Sequence, residues 1–147
     1  MGFLLTSGCA SVVRQDTPLI DDEYVQALEA ANKYCEAWRW RNQDKGLAIL
    51  SPRLLKSETE DFWRLVISGL SNPHHVSYEV TNGRRLRDGR YLFDVWFYEL
   101  YTGETWRQIA SGEVLLPEKK LKAERIIVVK TGQDKWGEDV WKVDEAP

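Results

Sequence analysis

The chain has 147 residues, 43% hydrophobic and 29% charged, with a formal net charge of −3. A chain of this length suits one domain that buries about 70% of its unfolded surface, and a net negative charge lacks the basic footprint of a general nucleic-acid binder. Two Cys without a CxxC spacing make neither a zinc site nor a disulfide framework, and no apolar run approaches the ~18 residues of a membrane-spanning helix.

Residues 1–20 are not domain material. Phe3, Leu4 and Leu5, then Thr6, Ser7 and Gly8, lead to Cys9. That run resembles the end of a bacterial lipoprotein signal peptide, where a short apolar stretch and small residues precede the Cys that takes the lipid. The resemblance implies lipidation at Cys9, a tether over residues 12–20 and a place in the cell envelope, with the membrane met only through the anchor. The alternative is a disordered tail on a cytoplasmic protein. Residues 21–147 then form the single domain.

Residues 21–41 read as the first helix. Tyr24, Leu28, Ala31, Cys35 and Trp38 recur at helical spacing, and Cys35 on that stripe reads as a buried, inert thiol. Asp44 caps a second helix with Leu47, Leu50 and Leu54 inward, kinked or split at Ser51-Pro52, a fresh N-cap with Pro at the first helical position. Ser57-Glu58-Thr59-Glu60 is a capping box for a third helix with Phe62, Leu65 and Val66 inward. His74-His75 follows in a loop. Adjacent His cannot point the same way on an extended strand, so no metal site is expected.

From Val76 the period changes to two. Val76, Tyr78 and Val80 alternate with polar residues, as in a strand buried on one face. Residues 90–101, RYLFDVWFYELY, hold six aromatic residues and make the central strand. Asp88-Gly89 and Thr102-Gly103 are hairpin signals. The first, as a two-residue turn, sets Val80 opposite Phe97 and Tyr78 opposite Glu99. The second sets Phe97 opposite Gln108. Residues 121–130 and 138–144 make two later strands, with Trp136 in the loop between them.

That register puts Tyr78, Tyr91, Phe93, Val95, Phe97, Glu99, Trp106 and Gln108 on an inner face, and Leu92, Asp94, Trp96, Tyr98 and Ile109 on an outer one. Tyr34 and Trp38 of the first helix reach the inner region. Tyr34, Trp38, Tyr78, Glu99, Trp106 and Gln108 thus outline a pocket for a small apolar ligand. Glu99 is its candidate general base or ligand-orienting carboxylate, since aromatic surroundings desolvate it. Leu92, Asp94, Trp96, Tyr98 and Ile109 outline a homodimer face. Arg84, Arg85, Arg87 and Arg90 read as a solvated hairpin tip.

The fold class expected is α+β: three N-terminal helices on a curved, cone-like antiparallel sheet of four or five strands. In element order, in Ala37-Trp38 ending the first helix, in the Leu50-Ser51-Pro52 break and in the late Val140-Trp141-Lys142-Val143 strand, residues 21–144 resemble the nuclear-transport-factor-2-like superfamily, also called SnoaL-like or cystatin-like. That superfamily includes enzymes, non-catalytic ligand binders and scaffolds, so the fold alone does not deliver function. Family enzymes usually set an Asp with His, Tyr or Arg inside the cone, whereas here Asp94 falls outside. No phosphate loop, GxSxG or HExxH is present. The expected function is a non-catalytic ligand-binding or accessory domain without a cofactor. The alternatives are a small proton-transfer enzyme and a structural partner-binding module.

Overall fold

The structure is a computed structural model that describes residues 21–68, 76–99, 110–111 and 119–147. It is an α+β fold. Among the described residues four helices come first: α1 Asp22–Arg39, α2 Gln43–Ile49, α3 Pro52–Leu55 and α4 Glu60–Ser68. An antiparallel four-stranded sheet follows, with β1 Val76–Arg85, β2 Tyr91–Glu99, β3 Lys119–Gln133 and β4 Asp139–Glu145 side by side in that order.

Asp21 caps α1 by accepting the Glu23 N–H at 3.1 Å. Its other carboxylate oxygen accepts the Tyr91 hydroxyl at 2.7 Å, which ties the start of α1 to β2. Ala27, Ala30 and Ala31 are buried with Tyr34 and Cys35, and these small residues let the helix lie close on the sheet. Beneath it lie Tyr91, Phe93, Val95 and Phe97 of β2, Ile126 and Val128 of β3, and Trp141 and Val143 of β4, all buried. Tyr24 meets Tyr91 edge-on at 5.9 Å, and Tyr91 meets Trp141 at 5.5 Å. Each fully buried apolar side chain of this set contributes about 2 kcal/mol.

The second helix is split, as its Ser-Pro pair predicts. Ser51 caps α3 by accepting the Leu54 N–H at 3.0 Å. The cap of α2 is Asn42, which accepts the Lys45 N–H at 3.0 Å, rather than Asp44. At the split the backbone touches the sheet: Leu50 bridges Val143 in parallel, and the Ser51 N–H donates to the Val143 carbonyl at 2.7 Å. Ser51 Oγ donates to Asp144 at 2.6 Å, and Arg53 Nε reaches both Asp144 oxygens at 2.9 and 3.1 Å. Burial, the largest single influence, would raise the pKa of Asp144. The bonds from Arg53 and Ser51 outweigh it and hold the carboxyl below its ordinary value.

The frame of α4 corrects the sequence reading. Trp63 and Ile67 are its buried face, while Phe62 and Leu65 are 43% and 46% exposed. Trp63 decides this, since its indole N–H donates to the Leu54 carbonyl at 3.1 Å. The cap is Thr59, which accepts the Phe62 N–H at 3.2 Å; Ser57 bonds backward to the Leu54 carbonyl.

The first hairpin differs from expectation by two residues. Leu86 N–H donates to Arg90 O at 2.7 Å and Gly89 N–H to Leu86 O at 3.0 Å, so the loop holds residues 87–89, not two residues. Gly89, at φ 85°, supplies the left-handed position that closes such a loop. A further residue is inserted in β1 between Thr81 and Arg84, where Asn82 has φ 52°. Gly83 there lies against the Tyr24 and Phe93 rings, so close that a Cβ would collide with both. Either slip alone would turn β1 inside out. Together they cancel: Tyr78 faces Phe97 and Val80 faces Val95, and inner and outer faces stay as expected.

The other side of β2 is a larger correction. Its neighbour is β3, so Phe97 faces Lys122 instead of Gln108, and Trp96 faces Ala123 instead of Ile109. The Thr102-Gly103 turn, Trp106, Gln108 and Ile109 lie outside the described residues, as do His74 and His75; Ala110 and Ser111 are helical and exposed. The expected strand would have set Gln108, Ala110 and Gly112 against Phe97, Val95 and Phe93. Instead β3 sets Ile126 and Val128 against Phe93 and Tyr91, a far better apolar match.

Candidate functional site

The end of α1 builds the candidate site. Arg41 N–H donates to Trp38 O at 3.1 Å and Asn42 N–H to Ala37 O at 2.8 Å. This paired C-terminal closure needs a left-handed residue, usually Gly. Here it is Arg41, at φ 54°. Asn42 at once caps α2, so the two helices meet at a tight corner that leaves Trp40 68% exposed. The Arg39 guanidinium lies 5.3 Å over the Trp40 ring.

Between α1 and α2 runs an open groove of about 570 Å³, with Ala37, Ala48 and Ile49 below and Trp40, Glu36 and Lys45 at the rim. Such a volume suits a small ligand. Lys33, also on this groove, pairs with Glu29 at 2.6 Å. Among the described residues no ion pair engages Glu36 or Lys45, so one free charge of each sign flanks an apolar floor. A second groove of about 320 Å³ adjoins it at Lys33 and Ile49 and runs between α1 and β4. Its inner wall is held by Trp141 Nε1 donating to Gln26 at 3.0 Å. Lys130 bridges Glu23 and Asp139 at 2.9 and 2.8 Å.

No protein-family model, curated protein or solved structure matches the chain.

The pocket residues expected from sequence are only partly brought together. Trp38 packs on Phe97 at 4.6 Å, and Phe97 is paired with Tyr78, whose hydroxyl donates to the Asn32 carbonyl at 3.4 Å. Tyr34 is buried, and its hydroxyl has no hydrogen-bond partner among the described residues. Burial pushes the Tyr34 phenol far above its ordinary range and the Cys35 thiol up to about 12. Glu99 is described by its backbone alone, paired with Val76 and Lys119. Trp106 and Gln108 fall outside the described residues, as does Cys9.

On the outer face Leu92 is already buried within the single chain, and Trp96 is half-buried. Asp94 accepts from Asn82 at 3.1 Å, and the Tyr98 hydroxyl donates to Glu79 at 2.9 Å. The arginine cluster is largely neutralised: Arg84 lies 3.9 Å from Asp94, Arg85 3.2 Å from Glu23 and Arg90 2.8 Å from Asp88.

The sequence reading missed Trp40 and Lys45. One signal was present. Residues two apart on a helix cannot share a face, so placing Trp38 inward turns Trp40 out. The groove itself comes from how α2 folds back on α1, which no local pattern states.

Proposed function

We propose that the chain is a non-catalytic ligand-binding or accessory domain of the bacterial cell envelope, anchored by lipid at Cys9. The observation that carries the binding role is Trp40, exposed at the rim of a preformed groove with an apolar floor. An indole left in water beside a concave apolar surface is a common recognition element. Asp21, Asp88, Asp139 and Asp144 are all held below their ordinary pKa, the first three chiefly by hydrogen bonds from Tyr91, the Arg90 backbone and Lys130, so these four act as structural partners rather than as a general base, which is tuned toward neutrality. Helices leading into an antiparallel sheet, with α1 on its inner face and a break at Leu50-Ser51-Pro52, are in keeping with a nuclear-transport-factor-2-like cone. The envelope role rests on Ser7-Gly8-Cys9.

Two measurements test the reading. Trp40→Ala should weaken binding of the apolar anion anilinonaphthalene sulfonate about tenfold, as for a central aromatic contact. Equal binding by both proteins removes the groove as the site. A native mass spectrum of protein from its own host should show acyl chains on Cys9; an unmodified soluble product ends the anchor proposal.

The buried Tyr34 hydroxyl favours a second reading, proton-transfer chemistry in the interior with Glu99 as base. Glu99→Gln keeps the shape and removes the charge. Any turnover that survives the change undiminished excludes that role.

A further inference from the structure

Among the described residues the strand β4 lies at one edge of the sheet, and only half of its outer side is covered by them. Its later half is covered by the chain's own backbone, through the parallel bridge of Leu50 to Val143 and the Ser51 N–H on the Val143 carbonyl. Its earlier half, residues 139–142, forms a wall of the groove of about 320 Å³ beside α1.

Which backbone groups face that groove follows from both ends of the strand. At one end the Glu138 carbonyl accepts the Asp134 N–H at 2.8 Å, so Glu138 faces inward to the β3–β4 hairpin. At the other end the Val143 carbonyl accepts from Ser51, so Val143 faces outward. Backbone groups alternate along a strand. Counting from either end gives one answer: Val140 and Lys142 bond to β3, and Asp139 and Trp141 turn their N–H and C=O outward. The extra residue opposite this stretch is Thr131, on β3, so the count along β4 is unbroken; Thr131 Oγ1 donates to the Val140 carbonyl at 3.3 Å, which also places Val140 inward.

Edge strands are commonly protected by charged side chains, proline or a bulge. Residues 139–142 have no proline, and their charges are drawn aside. Asp139 is held by Lys130 at 2.8 Å, and Lys142 Nζ donates to the Ala48 carbonyl. Ala30 and Ile49 line the groove and leave room for a small side chain next to Trp141. Glu138 also lines it, exposed and without an ion-pair partner among the described residues.

We infer that residues 139–142 are a docking edge for an extended peptide, which adds a fifth strand outside β4. The two outward residues, Asp139 and Trp141, offer four main-chain hydrogen bonds over about 10 Å of strand at about 3.3 Å per residue. The Leu50-Ser51 segment already uses this mode on the same strand. The partner is an extended segment with a small β-branched residue beside Trp141 and a lysine or arginine at the Glu138 end. This surface is separate from Trp40 and stands or falls independently of the groove between α1 and α2.

The test is amide hydrogen exchange by NMR on the full chain, with two capped pentapeptide probes, Lys-Val-Thr-Val-Thr and its reverse. In the free protein the Asp139 and Trp141 amides should exchange much faster than those of Val140 and Lys142. At probe concentrations ten times the dissociation constant they should slow about tenfold, by mass action. The same peptides N-methylated at alternate residues should have no effect. Glu138→Lys uses a residue that serves the turn through its backbone alone; it should weaken the lysine probe about threefold, the scale of an exposed ion pair, and favour a glutamate probe instead. The inference is overturned if the two amides are already as protected as their neighbours in the free chain. It is equally overturned if their protection follows protein concentration, which would mark a second copy on the edge. Equal protection by the N-methylated probes, or none by any probe, also ends it.

Discussion

Replacing Asp144 tests the clasp that joins the helical layer to β4. Its side chain is 8% exposed and accepts from Ser51 Oγ, Arg53 Nε and, at 3.4 Å, Arg90. Arg53 also donates to the Asp144 carbonyl. In Asp144→Ala the buried Ser51 hydroxyl loses its acceptor, at a cost of about 1–3 kcal/mol. The two guanidinium bonds are lost as well. A hydrogen bond to a charged group contributes about 1.5–3 kcal/mol when buried; with Arg53 60% exposed and rehydrated in the variant, the lower end applies. The expected loss is about 3 kcal/mol for Asp144→Ala and about half that for Asp144→Asn, which can still accept from Ser51. At about 2–4 °C per kcal/mol for a domain of this size, Asp144→Ala should lower Tm by roughly 6–12 °C. Urea unfolding monitored by circular dichroism measures both variants. The pH dependence gives a second reading. The folded carboxyl has a depressed pKa, so its stabilisation is fully present above the unfolded value of about 4 and fades as pH falls through the folded value. The gap between wild type and Asp144→Asn should therefore narrow below pH ~4. A pH 7 gap under about 0.5 kcal/mol, or one that stays constant into acid, refutes the clasp.

Gly46→Ala should destabilise by about 1–3 kcal/mol despite the better helix propensity of Ala, because the new Cβ would stand 2.6 Å from Cδ1 of fully buried Ile67; a stabilised variant in urea would mean that α2 and α4 can part. Arg41→Gly should raise stability by about 0.5–1 kcal/mol through relief of the left-handed residue that closes α1, and calorimetry showing no gain would remove that strain. Cys35, buried with its thiol pushed up to about 12, should stay unlabelled by maleimide at pH 7 in a Cys9→Ser chain and react fully in urea; rapid native labelling would contradict its burial. For the homodimer face expected from the sequence, we propose that sedimentation will find the wild type dimeric and Trp96→Glu monomeric; a monomer in both cases ends that proposal.

What the sequence determined by itself was local or periodic. Alternation over residues 91–97 named the buried face of β2 because side chains on a strand change sides at every residue. That parity survived a two-residue error in register. Ser51-Pro52 announced the helix break because its cap and ring geometry act within one turn. Cys35 was legible from helical spacing alone. Only the tertiary structure decided which strand lies beside β2. A turn signal speaks for a few residues, whereas Ile126 and Val128 win their place through burial against residues more than thirty positions away. The inward face of α4 likewise turned on Trp63 reaching Leu54, a choice between two apolar stripes one residue apart. The Ser51–Asp144 clasp spans 93 positions, and the two grooves exist only where α1 meets α2 and β4. No spacing rule reaches so far, because such contacts depend on how whole elements pack rather than on how each one forms.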